Sequence, residues 1–308
     1  MTDLVSVIIT TYNRSNFLEE TLNSIQNQTY STLEILVVDD GSEESVAIIN
    51  NSICNKFPKC KYFYKENSGQ PDSRNYGIAK AKGTYIGFCD DDDYWSLNKL
   101  EKQINIFEKF PDYSLVTGCI EYVEENGRKT GIVKCHEGHN HGYIFKSLLV
   151  KNRTASITPL LKREVFDKVG YFNPNFTIAE DWEFWRRVSY YYKFYNIDDI
   201  ISYVRLHPKN MTNSRSGNLV DRFVLYRKLT ESLLIWGENR FEKKDIDLIF
   251  KVEWSTYKKM FINYCPSILN KVRFFINVVI NNLMDGLHLF YLIIKHEFLK
   301  SKNISKMK

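Results

Sequence analysis

Residues 85–95 read Tyr-Ile-Gly-Phe-Cys-Asp-Asp-Asp-Asp-Tyr-Trp. An apolar stretch runs straight into four consecutive carboxylates. Tyr85 to Cys89 predicts a buried strand. Four adjacent carboxylates repel one another, and placing them at the end of a buried strand raises the cost of ionising them. A divalent cation relieves that cost. Hard cations take oxygen ligands, usually one or two carboxylates together with substrate phosphates. The plainer alternative is a solvated acidic turn.

Working outward, the same pattern recurs. Leu4 to Thr11 (LVSVIITT) and Leu33 to Val38 (LEILVV) are β-branched, apolar runs that predict buried strands, and Lys61 to Lys65 is a shorter one. Between them lie helical patterns: Asn16, as a cap, to about Gln28, then a helix to about Lys56, Asp72 to Lys82, and Leu97 to Phe110. Such alternation specifies an α/β fold, a mostly parallel sheet with helices on both faces. In these sheets ligands bind beyond the carboxyl ends of the strands. Thr11-Tyr12-Asn13-Arg14, Asp39-Asp40-Gly41-Ser42 and Asp90-Asp91-Asp92-Asp93 all sit at such ends. Three polar clusters should therefore converge on one crevice.

Past Asp112 the pattern changes. Ser114 to Val123 and Arg128 to Lys134 flank a Glu-Asn-Gly turn and predict a hairpin. Gly142 to Val150 and Arg163 to Val169 read as helices, Asp181 begins another, and Ile200 to Arg205 reads as a strand. Everything after about Asn218 reads as helical. We expect a first domain over 1–214 and a C-terminal helical region over 215–308.

Composition narrows the class. The chain has 308 residues, 44% of them apolar and 15% aromatic, enough for a sizeable core. The net charge of +5 lies wholly after Pro266, where seven Lys/Arg face two Asp/Glu. A neutral body with a basic tail argues against nucleic acid as partner. Six cysteines without a C-x-x-C pair read as reduced thiols of a cytosolic protein. No signal peptide is evident. The longest apolar run near the C-terminus, Leu289 to Ile294, falls far short of the ~20 residues of a membrane span. Phosphate-loop, dinucleotide-fold and serine-hydrolase motifs are absent.

Four ordered blocks carry a family resemblance: VSVIITTYNRSNFLEETLNSIQNQTY from Val5, ILVVDDGS from Ile35, NSGQPDSRNYGIAKAKGTYIGFCDDDDYW from Asn67 and AEDWEFWRR from Ala179. Over residues 4–210 the chain resembles glycosyltransferase family 2, nucleotide-diphospho-sugar transferases with the A-type fold and a Rossmann-like nucleotide half. Carried over by position, the resemblance implies that Thr10 and Tyr12 line the base pocket, that Asp40 hydrogen-bonds the base, typically uracil, and that Arg74 borders the nucleotide. In the D-x-D element Asp90 lies at the ribose, Asp91 fills the variable middle place and Asp92 holds Mn²⁺ or Mg²⁺. His207 reads either as a polar residue closing a strand or, as in some similar enzymes, as a group that reaches the metal or the diphosphate.

A base must take the proton of the attacking acceptor hydroxyl. Asp181 is the candidate, with Glu180 as fallback. Its place at a helix start would favour the anion and keep it ionised at neutral pH. One base and direct displacement imply inversion at the anomeric carbon. The expected partners are a nucleotide-diphospho-sugar donor, UDP-linked, and a glycan or lipid-linked glycan acceptor of polysaccharide biosynthesis. A non-catalytic sugar-nucleotide-binding protein on the same fold is the rival reading.

Three further segments carry expectations. Cys135 to His141 holds four zinc-type ligands but has no second half, so it reads as a polar loop. Trp182 and Trp185, one helical turn apart, read as core, with Trp182 as an alternative platform for an acceptor sugar. Residues 266–308 alternate a polar stripe with apolar residues among lysines, which suggests peripheral contact with the inner face of the plasma membrane, or a homo-dimer contact.

Overall fold

The computed structural model describes residues 3–135, 141–208, 210 and 219–264. The expectations placed on 266–308 and on the centre of the 135–141 loop lie outside them. The chain forms two compact units, 1–208 and 209–308.

In the first unit, β1 (Val5–Thr11), β2 (Leu33–Asp39), β3 (Cys60–Tyr64) and β4 (Tyr85–Asp90) alternate with α1 (Leu18–Gln26), α2 (Glu44–Cys54) and α3 (Gln70–Lys80). These four strands are parallel, in the order β3-β2-β1-β4. Every residue of β1 and β2 is buried, so both faces of the sheet are covered, as their unbroken apolar runs require. The second half is mixed. After β5 (Tyr94–Trp95) and α4 (Lys99–Lys109) come β6 (Tyr113–Val123), β7 (Lys129–Lys134), α5 (Phe145–Val150), β8 (Leu160–Lys162), α6 (Glu164–Val169), α7 (Glu180–Tyr191) and β9 (Lys193–Arg205). The sheet continues β4-β8-β6-β9-β5. Strand β8 is antiparallel to both of its neighbours, β9 is parallel to β6, and β7 pairs with β6 as the predicted hairpin.

Several local expectations need correcting. Asn16 does not cap α1, which starts at Leu18 after a turn, with Phe17 at the cap position. Helix α5 spans only Phe145–Val150. Strand β9 begins at Lys193, seven residues earlier than its most apolar part suggested, because Asn196, Asp198 and Asp199 break the apolar pattern. Cys119 and Cys135 form a disulfide rather than standing as thiols. The hairpin register explains it: Ile120 pairs with Lys134, so the next residues outward face each other with Cα atoms 4.3 Å apart. Cys135 is thereby unavailable as a zinc ligand, and His141 Nδ1 accepts a hydrogen bond from the Asn196 amide.

The second unit holds α8 (Leu219–Trp236) and α9 (Lys243–Tyr264). Phe223 packs on Tyr257, with ring centroids 4.7 Å apart. No helix among the described residues is long and apolar enough to cross a membrane.

Candidate active site

The parallel register sets three strand ends side by side: Thr10 pairs with Asp90, and Thr11 with Asp39. The loops leaving them are tied together. Asn13, in the left-handed region at φ 48°, donates its amide to Ser42 Oγ, and its Oδ1 accepts the Glu43 amide. The two aspartates that end β2 divide their work. Asp39 is fully buried and structural, accepting from the Ser42 amide, Asn50 and Tyr62. Asp40 faces the 65–73 segment: its Oδ1 accepts from Lys65 Nζ, the Ser68 amide and Ser73 Oγ, and its Oδ2 from the Gly69 amide. Burial alone would raise its pKa. The Lys65 ammonium and the surrounding donors outweigh it and hold the carboxyl below its ordinary range. Gly41 is required in this turn: its φ is +80°, and a Cβ would meet the Asn67 nitrogen at 2.7 Å. Tyr12 projects from the first loop, 51% exposed.

Each of the four aspartates finds a partner among the surrounding side chains and amides. Asp90 Oδ1 accepts from Arg74 Nη2 at 3.0 Å and Gln70 Nε2 at 2.9 Å. Asp91, 1% exposed, accepts from Thr11 Oγ1 at 2.6 Å, and Arg14 Nη2 lies 2.6 Å from its other oxygen as an ion pair without hydrogen-bond alignment. Burial pushes Asp91 up to about 7, against the pull of Arg14. Asp92 Oδ2 meets Arg14 Nη1 at 2.5 Å and His207 Nε2 at 2.8 Å. Asp93 accepts the Arg205 amide, and burial, with the charges of Asp92 and Asp90, raises it far above the carboxylate range. Much of the repulsion that suggested a cation is therefore relieved by the chain's own arginines.

Arg205, at the end of β9, locks this turn in place. Its Nε donates to Asp92 O and its Nη2 to Glu20, while the guanidinium lies 4.6 Å from the Phe17 ring centroid. Strand β5 pairs with β9 through Tyr94 and Tyr203, whose rings stack at 4.8 Å. The pairing delivers His207, two residues beyond Arg205, onto Asp92. A carboxylate oxygen and an imidazole nitrogen thus converge on one positive group, Arg14 Nη1, at 2.5 and 3.2 Å. This O,N donor pair fits a divalent cation whose other ligands are phosphate oxygens and water. Among the described residues no cluster of three or more acidic, histidine or cysteine side chains is placed to bind a metal without them.

Helix α7 reaches the same place from the other side. Ala179, at φ 61°, turns the chain into the helix. Glu180 Oε1 accepts from Arg74 Nη1 at 2.9 Å, so one buried guanidinium joins Glu180 to Asp90. Glu180 Oε2 is buried with no hydrogen-bond partner among the described residues. Asp181 is half-buried, accepting from Asn152 Nδ2 at 3.0 Å and from the Trp182 amide. Burial, then the charge of Glu180, pushes Asp181 up to about 6, against Arg74 and Asn152. The expected lowering by the helix start is overridden, although the group remains mostly ionised at neutral pH. Trp182 is no acceptor platform: it is buried, its indole N–H donates to Leu148 O, and Arg186 lies over its ring. Trp185 is core, as expected.

Sequence reasoning missed Arg14, Lys65, Gln70, Asn152, Ser156 and Arg205. Arg14 stands in the polar stretch after the first predicted strand, and Arg205 closes the last one, places where a counter-charge for the aspartates could have been sought. Asn152 and Ser156 carry no local signal. They belong to one segment that touches Asp181 at one end and, through Ser156 Oγ at 3.4 Å, Asp90 at the other.

Comparison with known proteins agrees with this geometry. The family model described as glycosyl transferase family 2 matches residues 6–172. An uncharacterized glycosyltransferase of Rickettsia typhi is 30% identical over 288 residues, covering 87% of this chain and 90% of the relative. The Escherichia coli UDP-Glc:alpha-D-GlcNAc-diphosphoundecaprenol beta-1,3-glucosyltransferase WfaP is 29% identical over 230 residues, 71% of this chain and 83% of its own. Among solved structures, residues 1–349 of Staphylococcus aureus TarS in complex with UDP-GlcNAc superpose with a TM-score of 0.61 at 20% identity, over 84% of this chain and 73% of that one. That likeness speaks for the fold.

Proposed function

Because the chain belongs to glycosyl transferase family 2 and is a glycosyltransferase, we propose that it moves a sugar from a UDP-sugar to a hydroxyl of a lipid-linked glycan, with inversion and with a divalent cation. The observation that carries this reading is the Arg74 bridge, which unites the D-x-D strand end with the helix of the candidate base. A lipid-linked acceptor finds support in the printed activity of the WfaP relative.

Asp40 and Tyr12 form the base pocket in this reading. A carboxylate offers about four lone-pair sites. Three donors crowd Asp40 Oδ1 but only one reaches Oδ2, so Oδ2 keeps capacity for the N3–H of uracil. Asp90 takes the ribose hydroxyls while Arg74 and Gln70 fix its orientation. Asp92 Oδ2 and His207 Nε2 would hold the cation, which when bound supplies positive charge to the leaving diphosphate. Asp181 accepts the proton of the acceptor hydroxyl as that oxygen bonds to the anomeric carbon. The bond to the diphosphate breaks on the opposite face, and UDP leaves with the electron pair. A base near 6 is weak, so proton transfer comes late, together with bond cleavage.

The test measures UDP release with a panel of UDP-sugars, Mn²⁺ and GlcNAc-diphosphoundecaprenol, the acceptor printed for the WfaP relative, for the wild type and Asp181→Asn. Wild-type turnover with a loss of roughly a thousandfold or more in the variant is expected for a missing base. Turnover indifferent to Asp181→Asn would remove Asp181 from the reaction.

A further inference from the structure

We propose that Arg14 is the resident cation of the aspartate turn, and that it couples uptake of a divalent cation to uptake of the nucleotide diphosphate. The inference rests on the metal-dependent reading above but concerns a residue to which that reading gives no role.

Arg14 leaves the loop after β1 and reaches three groups. Its Nη2 is anchored at Asp91, whose other oxygen is fixed by Thr11. Its Nη1 lies between Asp92 Oδ2 and His207 Nε2, the two atoms that suit a divalent cation. Its Nε is buried with no hydrogen-bond partner among the described residues, so the guanidinium is held only through its terminal nitrogens. The group therefore covers the candidate ligands.

Charge arithmetic gives the consequence. Asp91 and Asp92 offer at most two negative charges, and Arg14 already answers one. A divalent cation arriving alone would have to displace Nη1 and then lie beside a guanidinium still tethered to Asp91, with positive charge in excess. Like charges a few ångströms apart in a partly buried site repel strongly. A diphosphate adds two or more negative charges at the same point and answers both cations. Cation and nucleotide should then each raise the affinity for the other, by the same factor. Without Arg14, no guanidinium covers Asp92 Oδ2 and His207 Nε2, so a cation reaches that pair without displacing a positive group or waiting for nucleotide.

The experiment titrates Mn²⁺ into the full chain, following the free-ion signal by electron paramagnetic resonance and the heat by calorimetry, with and without saturating UDP. For the wild type, UDP is expected to raise Mn²⁺ affinity by about tenfold or more. For Arg14→Gln, the nucleotide-free affinity should already exceed the wild-type value by about tenfold, and UDP should add less. A nucleotide-free affinity equal to or below wild type overturns the proposal. If UDP binds both proteins while Mn²⁺ affinity ignores it, the proposal falls and the nucleotide site stands. If the wild type binds no UDP under any condition, the functional reading itself fails. Should Arg14→Gln not fold because Asp91 is left unanswered, the double variant with Asp91→Asn removes both partners of that pair. It still uncovers Asp92 and His207, and it must bind nucleotide-free Mn²⁺ more tightly than wild type.

Discussion

Asp90 and Glu180, far apart in the chain, share the guanidinium of Arg74 at 3.0 and 2.9 Å. Arg74 is 2% exposed, and the rings of Phe88 and Phe172 lie 6.0 and 5.5 Å from it. The planar fork of arginine offers two nitrogens at a fixed spacing, one for each carboxylate.

Arg74→Met should therefore be costly. It leaves the buried Glu180 and the half-buried Asp90 without a counter-charge, and breaking such a pair costs about 3–5 kcal/mol. Glu180→Gln added to Arg74→Met should restore part of the loss, since the glutamine carries no charge to strand. Urea denaturation of the wild type, both single variants and the double variant gives the coupling directly. A double variant that is no more stable than Arg74→Met would show that the two residues are energetically independent.

The pH profile should report Asp181. The base works ionised, so kcat/KM falls as pH drops through its pKa, giving an acid limb near 6. Glu180→Gln removes a negative charge that raises this pKa, so the limb should move to lower pH. Asn152→Ala removes a hydrogen bond that favours the carboxylate, so the limb should move to higher pH. Profiles over pH 4.5–9 for the three proteins test both signs. Shifts in the same direction would remove Asp181 as the titrating group.

The cation site makes a separate prediction. With chelator, activity should vanish and return with Mn²⁺ or Mg²⁺. His207→Ala should raise the Mn²⁺ concentration needed for half-activation, by about 10–100-fold on the scale usual for weakened metal sites. Asp92→Asn should lose turnover at every Mn²⁺ concentration, because it removes the charged oxygen ligand and the carboxylate that orients Arg14 Nη1. Full activity in chelator, insensitive to His207→Ala, would show a reaction that uses no such ion.

The parallel half of the sheet was legible because its strands are buried on both faces, and a run such as Val5 to Thr11 can then be apolar at every position. Strand β8 was not: three residues between two antiparallel neighbours, Leu160–Lys162, carry no period of their own. The first residues of β9 were hidden by the polar Asn196, Asp198 and Asp199, which an apolar pattern cannot accommodate. At the site, the aspartates stood out because repeated carboxylates at a strand end demand an explanation. The groups that answer them, Arg14, Arg74 and Arg205, come from three distant segments, and only the fold brings them together. The disulfide was within reach, since the hairpin turn fixes which residues face each other, but the spacing of cysteines along the chain does not show it.

Lys99 offers a prediction about stability rather than activity. Its side chain is fully buried at the start of α4, with Nζ donating to Gln103 Oε1 at 2.7 Å and Thr158 O at 2.9 Å, and 4.1 Å from the Trp95 ring centroid. Burial pushes its pKa down to about 7, from 10.5 in the unfolded chain. Between those values the unfolded state binds the extra proton, so the Lys99 contribution to stability rises as pH goes from 7 to 10.5 and is constant below about 6. Lys99→Met should remove that slope. Thr158 O keeps the hydrogen bond from Gln103 Nε2, so the substitution strands no acceptor there. Gln103 Oε1 loses the Lys99 donor, a cost of about 1–3 kcal/mol that opposes the gain from removing a buried charge, so at pH 7 the variant should lie within about 2 kcal/mol of the wild type. Urea denaturation of both proteins at pH 7, 8.5 and 10 reads the difference, which should move in favour of the wild type by about 3–4 kcal/mol between pH 7 and pH 10. A difference that stays constant across the three would show that Lys99 titrates at its ordinary value despite its burial.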